Sequence, residues 1–345
     1  MPLTIRLPTP EEEERTRRFQ VHKNYVGGVA QFIRAEYGSR SVGRIETLTQ
    51  AQKHFPSFRR IKRRPVDQDR LEQFLTLSWA SELQFRLARL SDPVLLRYSN
   101  AWAPIHAYYA VYMSAQAWFL TIGSHELVDN HTGSLNTLSN QVSQRGLFPA
   151  PWNVTCSGCP HIDEITFSNL PVGVNPESHF ELLAAPSLQD FWPRYCKLLE
   201  TTRKRRLDRN IDEWKRKERR KNTWAHEKRA IASRLLPTTL FDFFWRLRVR
   251  SNYRDVRSFL MAGVAEDWQR EFFQALETIL ESTVLLLEGL IVAYAGSDTY
   301  ERTLDGFLRS QRHDLTELRD PYLARAAALT NRTIEPDGSV AGAPA

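Results

Sequence analysis

Cysteine is nearly absent from this chain, with three residues in 345 and no regular spacing. That argues against a disulfide framework and fits a reducing compartment, the cytoplasm. The first residues, MPLTIRLPTPEEEERTRRF, lack the positive start and apolar stretch of a secretory signal. Glycine-rich phosphate loops, a GxSxG nucleophile elbow and an HExxH pair are all missing, so the common nucleotide-binding and hydrolase classes lose support. Long hydrophobic runs are scarce too. Residues 101–122 carry no Lys, Arg, Asp or Glu, but Pro104, His106, Ser114 and Gln116 and many alanines and tyrosines point to a buried helix rather than a membrane span. Residues 284–295, interrupted by Glu288, read as a partly buried amphipathic helix.

What is present is globular: 42% hydrophobic and 11% aromatic residues, enough apolar side chain to offset the entropy of ordering. The patterning predicts an all-α chain. After Asp67 and Asp69, either able to cap a helix, Leu71, Leu75, Trp79, Leu83, Leu87 and Leu90 recur about every four residues. A second long helix over 101–122 stops at Gly123, and the succession suggests a bundle. Six prolines across 146–186 predict an irregular insertion with a short β-like piece near 165–167. Ser187 opens a basic helix expected to run to Leu235, with a kink at Pro193. Thr238 or Thr239 caps the next helix, and a final pair lies near 268–294 and 300–328. The domain reading is an N-terminal extension (1–66), a helical domain (67–296) containing the proline-rich insertion and the basic helix (187–236), a C-terminal helix (297–330) and a tail (331–345) expected to be disordered.

Charge is concentrated. Residues 201–229 hold 13 Lys or Arg against five acidic residues, a local +8 in a chain of net +7. Leu207, Ile211 and Trp214 form an apolar stripe, which leaves Arg205, Arg206, Arg209, Arg216, Arg219 and Arg220 for the other faces. Such a face suits the phosphates of RNA or another nucleic acid, with affinity that falls steeply with salt. A solvated charged helix or a contact with an acidic protein are the other readings. A smaller basic cluster is Arg59, Arg60, Lys62, Arg63 and Arg64. Cys156-Ser157-Gly158-Cys159 has the spacing of half a zinc knuckle, with His161, His179 or Cys196 as further ligands. The second clear pair is missing, so ordinary loop cysteines and no metal or cofactor are expected.

Two separated pieces together resemble the HEPN superfamily, small helical bundles of prokaryotic defence and toxin systems. The first is Ile105-His106-Ala107-Tyr108-Tyr109-Ala110-Val111-Tyr112, similar to that family's tyrosine-rich opening helix. The second is Arg248-Val249-Arg250-Ser251-Asn252-Tyr253-Arg254-Asp255, similar to its arginine-led polar motif. The resemblance implies a bundle over 67–296 and, in active members, a metal-independent ribonuclease acting as a dimer. Its signature is Arg, four to six residues, then His: one face of a helix holds the scissile phosphate beside a proton-transfer group as the ribose 2′-hydroxyl attacks. Arg250 and Asn252 fill the first positions, but residue 255 is Asp and no histidine follows, leaving Tyr253 as the substitute. A second match is Lys221, Asn222 and His226, with Arg220 one residue earlier. The expectation is a HEPN-like RNA-binding protein that cleaves its ligand at Arg250 or His226; the alternative is a non-catalytic module docking on RNA, DNA or an acidic protein. Tyr253 in the core with Arg250 and Asp255 paired on the surface is the structural alternative for that motif, as a hydrogen-bonded core histidine is for His106.

Overall fold

Helix α1 (Pro10–Tyr37) starts where the sequence provides a complete cap: Thr9 and Glu12 exchange side-chain and backbone hydrogen bonds, and Pro10 takes the first turn. Gly38, at φ 112°, ends it. The computed structural model describes residues 8–90, 92–124, 131–261, 265–310 and 316–330. Within them follow α2 (Ser41–Lys53), α3 (Pro56–Arg59), α4 (Gln68–Leu87), α5 (Pro93–Thr121) and α6 (His131–Arg145). A hairpin of β1 (Thr155–Cys159) and β2 (Glu164–Ser168) comes next. The chain continues through α7 (Phe191–Lys217), α8 (Ala225–Ser233), α9 (Leu240–Val249), a π-turn (Arg250–Arg254), α10 (Val256–Met261), α11 (Glu266–Ala295), α12 (Ser297–Ser310) and α13 (Thr316–Thr330). The protein is all-α, and the hairpin is the one sheet among the described residues.

The core is built round α11, which packs against α1, α2 and α5 and is apolar on every side from Val284 to Leu287. It is long and apolar enough to cross a membrane, but 83% of that window lies buried inside the fold. The helix expected to be partly buried and amphipathic is instead buried on every side here, because Glu288 is not a solvent-facing break. It is fully buried, accepting from Trp79 Nε1 (2.7 Å), Tyr300 Oη (3.0 Å) and Arg325 (3.0 Å). Arg325, itself 0% exposed, also bridges to Glu82 at 2.7 Å, and Glu82 pairs with Arg86. Burial pushes the Glu82 carboxyl up, yet the two arginines outweigh it and hold it near about 2. Glu288, with fewer cations, stays raised by burial.

Caps follow the sequence closely. Asp67 accepts from Arg70 N at the start of α4, and Thr239 with Asp242 closes a capping box on α9. Pro93 starts α5 eight residues before the aromatic stretch, and Pro104 is accommodated inside it. The basic helix differs most from expectation. Ser187 and Asp190 bond each other's backbone one turn upstream, Pro193 falls in the first turn of α7, where no intrahelical N–H bond is lost, and the helix ends at Lys217. Arg219 then takes a left-handed φ of 54° before α8 begins. Beyond Trp214 the run Lys215, Arg216, Lys217, Arg219, Arg220, Lys221 offers no apolar stripe and repels itself, so nothing holds another turn. The proline-rich insertion is pinned at both ends: Tyr37 and Tyr195 donate to the carbonyls of Ala150 and Pro151, Trp152 Nε1 donates to Thr283 and Cys156 exchanges backbone bonds with Thr238, while at the far end Asn24 Nδ2 donates to the carbonyls of Leu182 and Ala184. The tail 331–345 lies outside the described residues.

Candidate nucleic-acid interface

Four separate parts of the chain meet in a cleft of about 470 Å³. From α1 come Glu14, Arg17, Arg18, Val21 and His22, one face of a helix by their spacing. Arg205 comes from α7, Arg246 from α9, Arg250 from the π-turn, and Asp255 from just beyond it. Asp255 is the hub. His22 Nε2 lies 3.1 Å and Arg250 Nη1 2.8 Å from the same oxygen, Oδ2, and Arg18 Nη1 lies 3.5 Å from Oδ1. The π-turn makes this possible. The Asp255 amide donates to the Arg250 carbonyl at 2.7 Å, so the wider turn brings residues five apart into the neighbouring relation that an α-helix gives to residues four apart.

Burial pushes the Asp255 carboxyl up, but the His22 hydrogen bond and Arg250 overcome it and hold it at about 2. His22 is lowered, burial outweighing the attraction of Asp255. An ionised Asp255 can only accept, so a neutral His22 must carry its proton on Nε2, leaving the Nδ1 lone pair free to take another. Phe259 stacks on the imidazole at 5.5 Å between ring centres and fixes its plane. The arginines crowd one another. Burial first, then the Arg250 charge, brings Arg246 down to about 10, and its guanidinium is held by Thr201 (2.7 Å) and Thr202 (2.9 Å) on α7.

Of the residues singled out by sequence, Arg250 and Arg205 line this cleft. Asn252 is half-buried and is not among the residues lining it, and Tyr253 is 69% exposed rather than packed in the core. The Arg250–Asp255 pair does form, with the carboxylate buried rather than on the surface. Arg206 is a correction to the exposed-face reading: it is 5% exposed and pairs with Asp242 at 2.9 Å, because the helix face carrying Leu207 turns it inward. Arg209 lies over the Trp245 ring at 4.9 Å. Arg216, Arg219 and Arg220 are exposed, with Arg220 paired to Glu227 at 2.8 Å. Lys221, Asn222 and His226 are exposed on the α7–α8 connection and α8; Asn222 lines a separate groove with His161, Asp208 and Trp224, whereas His226 lines neither. His106 is half-buried on α5, lowered by burial.

The two pieces that carry the HEPN resemblance touch: Arg248 Nη2 donates to Tyr109 Oη at 3.0 Å, and its guanidinium lies over the Tyr108 ring at 5.3 Å. The cysteines are free and buried, with the Cys156 and Cys196 thiols pushed up to about 12 by burial. Among the described residues, no three His, Cys, Asp or Glu side chains come together as a metal-binding set. The residue that sequence reasoning missed is His22. It lies 228 positions before Arg250, so no local spacing rule connects the two. No family model, no curated protein and no solved structure matches the chain.

Proposed function

We propose that the protein binds nucleic acid, RNA in particular, along a basic track that starts in the Asp255 cleft. The observation that carries this reading is the convergence of five guanidiniums, Arg17, Arg18, Arg205, Arg246 and Arg250, against two carboxylates. Burial first, and then the neighbouring Arg250, lowers Arg205 and Arg246; an anion in the cleft relieves that crowding, and phosphate matches the guanidinium fork geometry. Arg205 continues the track onto α7, whose exposed Arg216 lies about 17 Å further along at 1.5 Å per residue. Fluorescence anisotropy with a labelled single-stranded RNA tests it. Arg17→Glu with Arg205→Glu should weaken binding and lower the salt slope by about 1.4, at about 0.7 for each of two phosphates no longer neutralised. Unchanged affinity across a salt titration would rule out the cleft as the RNA site.

A second reading, metal-independent cleavage of that RNA, is favoured by one observation: His22 and Arg250 both bond Oδ2 of Asp255. His22 stands where the local motif lacks a histidine. Its Nδ1 takes the proton of the 2′-hydroxyl as that oxygen attacks phosphorus, the P–O5′ bond breaks to leave a 2′,3′-cyclic phosphate, and the departing 5′-oxygen takes a proton from water; Asp255 holds the Nε2–H and Arg250 stabilises charge developing on the phosphate. The resemblance of the Arg248–Asp255 segment to HEPN motifs supports the same chemistry. Cleavage of labelled RNA in the presence of chelator should disappear in His22→Asn and in Arg250→Ala. Cleavage that survives both changes sinks this assignment, and tight binding without cleavage by the intact protein leaves the non-catalytic binding module.

A further inference from the structure

At the other end of α11 the basic cluster 59–64 meets the C-terminus of α6 around a groove of about 410 Å³. Arg60, Lys62, Arg64 and Arg145 line it, Gln144 and Ser57 add neutral donors, and among the described residues no carboxylate does. The groove is built rather than incidental. The Arg64 amide donates to the Tyr294 carbonyl (3.0 Å) and its guanidinium to the Ile122 carbonyl (3.2 Å), while Arg145 reaches Tyr294 Oη at 3.3 Å. Arg63 lies against Gly296, two residues beyond Tyr294.

Several cations of this protein face a carboxylate: Arg44, Arg86, Arg206, Arg325 and Arg250. Here four cations line one groove with no carboxylate among its lining residues, so an anion with several closely spaced charges would meet complementary charge along it. We propose that this groove binds a compact polyphosphate, the triphosphate of a free nucleotide being the ligand class. Its volume lies in the range of small-ligand sites. It is also distinct from the arginine cleft. Phe19 of α1, beside Arg18, packs on Phe272 and Lys23 pairs with Glu271, whereas the groove takes Tyr294, about 35 Å further along α11. An RNA strand in the cleft does not fill the groove without spanning that distance, and the groove reading does not depend on the cleft being an RNA site.

The test uses the full chain and three probes without divalent cations: inorganic tripolyphosphate, ATP and a short single-stranded RNA, each followed by titration calorimetry. Tripolyphosphate and ATP should bind saturably at low salt. The triple variant Arg60→Gln, Lys62→Gln, Arg145→Gln, all exposed positions, should weaken both about tenfold or more with an unchanged melting transition. Arg17→Gln with Arg205→Gln should leave both unchanged. Absence of saturable tripolyphosphate binding, or binding indifferent to the triple variant, overturns the proposal. So does a triple variant that loses RNA affinity while keeping tripolyphosphate, because the groove would then belong to a phosphodiester backbone.

Discussion

Replacing Asp255 with Asn keeps the shape of the hub and an acceptor for His22 while removing the charge that holds three basic side chains. Asp255 is 2% exposed, and its carboxyl is lowered from 3.8 to about 2. Through proton linkage that lowering corresponds to about 2 kcal/mol of folding stability near neutrality. The sign follows from the direction. A carboxylate whose folded pKa is depressed stabilises the fold at pH values above its unfolded pKa, and that contribution fades as pH falls through the folded one, here between about pH 4 and about pH 2. Asn has no such contribution at any pH. Asp255→Asn should therefore unfold in urea about 2 kcal/mol more easily than the wild type near neutrality, by tryptophan fluorescence, and about half of that difference should remain at about pH 3. Uncompensated Arg18, Arg250 and Arg246 add a repulsion that salt screens, so part of the deficit should shrink in added salt. A deficit constant from neutrality to about pH 3, or none at all, would refute the hub as described.

The interior and exposed arginines of α7 should separate cleanly. Arg206→Ala strands Asp242 without its cation and should cost about 3 kcal/mol or more in denaturant unfolding, whereas Arg216→Glu, Arg219→Glu and Arg220→Glu together should lower RNA affinity and leave stability within about 1 kcal/mol. Arg325→Met leaves Glu288 buried without a cation and Glu82 with Arg86 alone, an expected loss of about 3–5 kcal/mol read as a lower melting temperature. Gly158→Ala places a Cβ against the Glu164 carbonyl at a φ of 89°, so it should destabilise the hairpin and the Arg203 bond to the Gly158 carbonyl by about 2 kcal/mol, measured in the same melts.

Local chemistry was legible in the sequence. The all-α class, the cap residues Asp67 and Thr239, the stop at Gly123 and the irregular 146–186 segment all follow from rules acting over a few residues, where backbone propensity and side-chain capping decide. The single basic helix to Leu235 failed because the stripe Leu207–Ile211–Trp214 ends before the charge does, and periodicity cannot show where packing support stops. Which cations are free is a tertiary matter. Arg206 and Arg216 look alike in sequence, but one faces Asp242 across the fold and the other faces water. The same holds for Glu288, read as a polar break and found at the centre of the core, because its partner Arg325 arrives from 37 residues away. His22 joins Arg250 only because α1 packs against α10 and the π-turn brings Arg250 onto Asp255, so the sequence determined the helices and the excess of positive charge, and long-range packing decided which charges meet.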